Sequence, residues 1–259
     1  MNPERELPGV ELHLRCSDSS PTPQWVKKAV RLPPEVCPAP GKHNFCADTS
    51  FAFGASCLCW VDLLHGIVIC ADPARQQDPQ LRFVPFPDGC PAVGTSDVPH
   101  RPRMEEFRCV GGGAIIKLVA IEGLLGGLHC TQFRLVTWTL SPDLKEWKKR
   151  EVFCLKDLWA RDEYFALKIP RHTPMCAIPS ASRDNVVYTV VNDVDIHKIF
   201  EGSKHVETKV DVKGQYVLKL DMQGNRIVSI DCGHPACEMQ AMMRRLLATD
   251  FTAYLKGAE

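Results

Sequence analysis

"FGASCLCWVDLLHGIVIC", residues 53–70, decides how the rest of the chain is read. Cys57, Cys59, Trp60, Asp62 and His65 either form a metal or redox centre or belong to two strands that use cysteine as a small hydrophobe. Spacing separates the two. Cys57 and Cys59 are two apart and project to one face of a strand, whereas zinc knuckles more often use a two-residue spacer with a second pair downstream. No Cys-x-x-Cys occurs in the chain. The stretch therefore reads as strand packing, with one strand from Ser50 to Val61. Its first face carries Phe51, Phe53, Ala55, Cys57, Cys59 and Val61, and its second Gly54, Ser56, Leu58 and Trp60. Both faces are largely apolar, as expected for a strand covered on each side. "DLLHG" then turns the chain and "IVICA" runs back. Asp62 and His65 form an acid–base pair only on paper; in a short turn they are expected to be solvated turn formers.

The same alternation of strand and polar turn recurs outward from this point. "GVELHLRC" alternates Val10, Leu12 and Leu14 with polar residues. "WVKKAVRLPPEV" is stopped by Pro33-Pro34. "LRFVPFP" is a short strand. "FRCV-GGG-AIIKLVAIE" reverses at three glycines free to take positive φ. "FRLVTWTL-SPDLKEW-KKREVFCL" turns at Ser141-Pro142-Asp143, with the basic run 145–150 at its tip. "NVVYTVV" is a strand, and "YVLKL-DMQGN-RIVSI" turns at Gly224-Asn225. That makes nine or ten short strands in local hairpins. Residues 72–80, 88–105 and 193–215 read as polar loops. Trp60, Trp138, Trp147 and Trp159 fall in or beside strands, where large rings fill space between sheets. In the last stretch Met239, Met243, Leu247, Phe251 and Leu255 recur every four residues, the ridge of an amphipathic helix packed on the β body.

Composition bounds the rest. The chain has 259 residues, with thirty-one basic side chains balancing thirty-one acidic ones. That balance gives no electrostatic reason to expect nucleic acid. No apolar run approaches the roughly 20 residues that span a bilayer, so no membrane partner is expected. The N-terminus lacks the basic start and apolar run of a secretory leader. Thirteen cysteines, an odd number spread through a long chain, read as reduced and buried in a cytoplasmic or nuclear protein. Cys232, His234 and Cys237 pack three potential ligands into "CGHPAC", the best metal candidate, against the plainer reading of loop residues with no ligand role. No Gly-x-Ser-x-Gly, His-Glu-x-x-His or phosphate-loop motif occurs, so no catalytic residue and no cofactor is assigned.

Taken in order, "FAFGASCLCWVDLLHGIVICAD", "LRFVPFP", "FRCVGGGAIIKLVAIE", "TWTLSPDLKEWKKREVF", "VVYTVV" and "YVLKLDMQGNRIVSI" resemble a plant family, expanded in grasses, catalogued as domain of unknown function 1618. The resemblance runs over about residues 8 to 231. It implies a degenerate or incomplete propeller, similar to kelch-like and F-box-associated β domains. No catalytic residues come with it. Trp60, Asp62, Leu63, Gly66, Trp138, Ser141, Trp147 and Trp159 fall on the family pattern, with structural roles. The expected architecture is mostly β, in antiparallel hairpins, with a C-terminal helix. Its parts are an extension over 1–48, a β domain over 49–231 and the helix over 232–259. The expected function is a non-enzymatic protein-interaction module whose partner is another protein. The alternatives are a propeller enzyme or carbohydrate-binding protein, and a zinc- or redox-responsive protein.

Overall fold

The computed structural model describes residues 9–15, 25–36, 45–54, 56–88, 90, 108–112, 115–123, 132–201 and 204–233. The predicted C-terminal helix, with His234 and Cys237, lies outside them. The described chain is mostly β and forms two compact units. Unit 1 comprises Met1–Pro102, Gly112–Ile116 and Leu140–Trp147; unit 2 comprises Arg103–Gly111, Lys117–Thr139 and Lys148–Glu259.

Unit 1 holds a two-stranded antiparallel ribbon and a four-stranded sheet. The ribbon pairs β1 (Gly9–Arg15) with β2 (Trp25–Arg31), so regular structure reaches Arg31 before the prolines end it. Lys28 of β2 places its ammonium on the carbonyls of Pro73, Ala74 and Gln76, at 2.6 to 2.8 Å, and ties the ribbon to the 72–80 link. The sheet is an antiparallel meander of β3 (Thr49–Phe53), β4 (Cys57–Asp62), β5 (Gly66–Ala71) and β6 (Leu81–Pro85).

The single strand expected from Ser50 to Val61 is therefore two. Gly54, at φ +59°, reverses the chain, and Phe53 pairs with Cys57 across the turn. A positive φ costs glycine little and most residues about 1 kcal/mol or more. Expectation failed here because an apolar run on both sides hid a turn residue in its middle. The central strand β5 keeps Ile67, Val68, Ile69 and Cys70 all buried, which is why it reads as an unbroken apolar run.

Unit 2 contains two more meanders of the same kind. One joins β7 (Arg108–Gly111), β8 (Lys117–Glu122), β9 (Arg134–Leu140) and β10 (Trp147–Cys154) in sequence order. The other joins β11 (Met175–Pro179), β12 (Val186–Glu201), β13 (Lys204–Asp221) and β14 (Arg226–Gly233). Among the described residues neither Gly111 nor Gly112 takes the positive φ expected at the β7–β8 reversal.

The loop expected over 193–215 is a correction. β12 and β13 run on together as a long antiparallel ladder through those residues, with Asp195 opposite Asp211 and His197 opposite Lys209. Lys213 reaches Asp195 at 2.6 Å and Lys209 reaches Asp211 at 3.3 Å. The cross-strand Lys213–Asp195 contact and the Lys209–Asp211 contact along β13 offset the like charges of the opposed Asp195–Asp211 pair and let a polar sequence hold strand geometry. β11 pairs with β12 only as far as Val190, and β14 pairs with β13 only from Gln215. The rest of the ladder is a two-stranded ribbon.

Two short helices, absent from the sequence expectation, follow β10: α1 (Leu155–Trp159) and α2 (Asp162–Ala166). Trp159 thus belongs to a helix. The unit 2 core joins both sheets and both helices through Val119, Ile121, Leu135, Phe153, Leu158, Tyr164, Val187, Val191, Leu218 and Leu220.

Candidate functional site

Cys59 and Cys70 of the cysteine stretch are packed into the sheet. Cys59 is sealed in β4, and burial, with a smaller push from Cys57, raises its thiol to about 12. Cys70 is raised in the same direction, first by burial. Such thiols stay protonated at neutral pH and behave as small apolar groups. Trp60 is only half-buried, so it covers the sheet rather than filling its centre.

Asp62 is fully buried, against the expectation of a solvated turn residue. Its carboxylate accepts the N–H groups of Cys46 at 2.7 Å and Leu64 at 2.8 Å, and its carbonyl accepts that of His65 at 3.0 Å. His65 Nδ1 lies 3.0 Å from Asp62 Oδ2 but is too poorly aligned for a hydrogen bond, so that contact is one of proximity. Asp48 accepts the N–H of Leu63, which is itself buried. Asp62 is therefore the keystone of the β4–β5 turn. Gly66 closes that turn at φ +154°, where a Cβ would come within 2.3 Å of the Val84 carbonyl oxygen on β6.

The other residues of the family pattern make turn and packing contacts. Ser141 Oγ accepts the N–H groups of Lys145 and Glu146 at 3.2 and 3.0 Å and donates to Asp143 at 2.5 Å. Trp147 is half-buried, donates its indole N–H to the Pro85 carbonyl at 2.8 Å and packs on Phe86. It opens β10, so the basic residues 148–150 belong to a strand rather than to a hairpin tip. Trp138 is buried opposite Leu118, with the Lys149 ammonium 5.7 Å from its ring centre. Cys232 is exposed near the end of β14. Among the described residues no group of three histidine, cysteine or acidic side chains is placed to hold a metal.

Concave, chemically mixed surface occurs instead around α1 and α2. Leu155, Leu158 and Trp159, at i, i+3 and i+4, anchor one side of α1 in the core. Asp162 and Glu163 occupy the first turn of α2, where carboxylates are favourable. The end of α2 has the hydrogen bonds of a Schellman motif. Ile169 N–H returns to the Tyr164 carbonyl at 3.3 Å and Lys168 N–H to that of Phe165 at 3.0 Å, with Lys168 at φ +52°. This turn draws Ile169 into the core while Lys168 stays exposed.

Tyr164 is buried and donates to the Pro170 carbonyl at 2.6 Å. Burial raises its phenol above the ordinary value, with Trp159 and Arg171 opposing the shift. The phenol is a fixed donor, unsuited to act as a base near neutral pH. The indole N–H of Trp159 is sealed from solvent without a full hydrogen bond. Around these groups opens a hollow of about 440 Å³ lined by Trp159, Tyr164, Phe165, Ala166, Lys168, Ile169 and Arg171. Phe165 is 76% exposed and Leu167 47%. Two cations and a mostly apolar wall can bind; they supply no nucleophile with a paired base.

Of the residues singled out in the sequence, only Trp159 reaches this hollow. Helices of five residues are too short to show a period, and the usable signal was the cluster "YFALKIPR", an apolar run crossed by two cations. No curated protein and no solved structure matches the chain. Residues 60–188, which include every residue lining the hollow, match the family described as "Protein of unknown function (DUF1618)", and the chain belongs to that family.

Proposed function

We propose that the protein is a non-enzymatic protein-interaction module of the cytosol or nucleus, with the α1–α2 hollow as its recognition site. Three four-stranded meanders, each built from consecutive strands, have the connectivity of propeller blades, and we read the body as propeller-like. Free thiols at all nine described cysteines suit a reducing compartment.

The observation that carries the reading is the exposure of Phe165. Single exposed apolar residues are ordinary, but this one lines a mostly apolar hollow and lies two residues from exposed Leu167, and large side chains recur in protein interfaces. A photo-crosslinking residue in place of Phe165 should join the full chain to a defined partner. The purified partner should then bind the parent chain and lose affinity for the Leu167→Ser variant. Turnover of any substrate in a broad hydrolase panel, abolished by one polar substitution, would sink the non-enzymatic reading.

A further inference from the structure

We infer that the hollow receives an acidic peptide segment that inserts one aromatic or aliphatic side chain; this rests on the interaction reading and gives its partner a chemistry. The wall that would take the side chain is formed by Trp159, Tyr164, Phe165 and Ile169, and its charged groups are Lys168 and Arg171. Among the described residues no carboxylate lines it. The acids of α2, Asp162 and Glu163, sit in the helix's first turn and outside the lining. An anionic group beside a buried apolar group matches that wall, and a cationic one does not.

The size fits. About 440 Å³ lies within the range of sites that enclose small apolar groups, roughly 300–1,000 Å³. The exposed Phe165 ring carries the apolar surface outward from the hollow, which favours an extended ligand over a small free acid. Lys168 adds a further sign. It holds the left-handed position where glycine ends most such helices, and a lysine there costs stability that a charge at the rim would justify.

The experiment is fluorescence anisotropy on the full chain with three rhodamine-labelled peptides. One carries a single phenylalanine flanked by glutamates, the second the same residue flanked by lysines, and the third a serine flanked by glutamates. The first should bind at least about tenfold more tightly than either of the others. Lys168→Gly and Arg171→Ala should each weaken it about threefold, and the pair about tenfold. Lys168→Gly suits the backbone at φ +52°, so folding does not confound it. Raising salt from about 0.05 to about 0.3 M should also weaken binding.

Equal binding of the lysine-flanked peptide, or indifference to both cation substitutions, overturns the acidic occupant. So does failure of all three peptides to bind. Displacement by free phenylacetate at equal concentration overturns the peptide in favour of a small acid. None of these outcomes touches the interaction reading, which the cross-link at position 165 decides separately.

Discussion

Lys117 gives the sharpest test of how unit 2 is held together. Its side chain is 7% exposed, and its ammonium donates to the carbonyls of Ser180 at 3.0 Å and Arg183 at 3.1 Å, with Asp184 at 3.0 Å. The ammonium of β8 therefore pins the β11–β12 turn by backbone oxygens as well as by a carboxylate. Lys117→Met keeps most of the stem volume and removes the charge. Each charge-assisted hydrogen bond is worth about 1.5–3 kcal/mol. Part of that loss is offset by releasing a buried ammonium from its desolvation cost. The net should be a destabilisation of about 2–3 kcal/mol. Asp184, by contrast, is 69% exposed, and an exposed pair contributes only about 0–1 kcal/mol. Asp184→Asn should therefore cost little. Urea unfolding followed by tryptophan emission measures both, compared at constant slope. If Lys117→Met is as stable as the parent, desolvation outweighs the carbonyl bonds. If Asp184→Asn falls as far as Lys117→Met, the ion pair rather than the carbonyl clamp holds the turn. Either result would falsify the reasoning.

Gly66→Ala should cost about 3 kcal/mol or more, because it combines overpacking against β6 with a backbone angle unsuited to alanine; an unchanged melt would mean that β5 and β6 can separate freely. Native protein treated with a thiol reagent at pH 8 should label exposed Cys46 and Cys232 quickly and leave Cys59 unmodified until unfolding. The Asp221 carboxyl is held below its ordinary value, first by the Gly224 N–H and then by Arg226. Its contribution to stability is therefore present above the unfolded carboxylate range and is lost as pH falls through the depressed value. The stability gap between parent and Asp221→Asn should accordingly be open at pH 7 and close in strong acid. A gap of constant size would assign the loss to the turn rather than to ionisation.

The hairpins were legible because β structure alternates at a period that a short window captures. β4–β5, β7–β8, β9–β10 and the β13–β14 turn follow "CWVDLLHGIVIC", "FRCVGGGAIIKLVAIE", "TWTLSPDLKEW" and "LDMQGN" closely. The extra strand end at Gly54 was not legible, because Phe51, Phe53, Cys57 and Cys59 keep one alternating phase across it. A three-residue turn and a continuing strand carry the same pattern there, and only backbone geometry separates them. Asp62 shows a different limit. Its identity marked a turn, but whether a turn aspartate faces water or is sealed under two backbone N–H groups depends on Cys46, a residue sixteen positions away.

The stretch 193–214 shows why charge misleads most. "DIHKIFEGSKHVETKVDVKG" reads as a solvated loop because its charges are dense, although Val206, Val210 and Val212 alternate with Glu207, Lys209 and Asp211. In the ladder, Lys213 meets Asp195 at 2.6 Å and His197 meets Asp211 at 3.6 Å diagonally across the two strands, and Val194 lies opposite Val212 on the alternate face. The stabilising unit is the cross-strand pair, which a single sequence does not display until the register is known. The same reasoning applies to the hollow. Lys168 and Arg171 read singly as ordinary surface cations. They come to line one hollow because the Schellman turn buries Ile169 between them and α2 packs Tyr164 beneath. In both places the chemistry belongs to a juxtaposition set by backbone hydrogen bonds. If the hollow binds the glutamate-flanked peptide, substitutions that keep the residues but break the turn should therefore weaken that binding, read by anisotropy, as much as substitutions of the cations themselves.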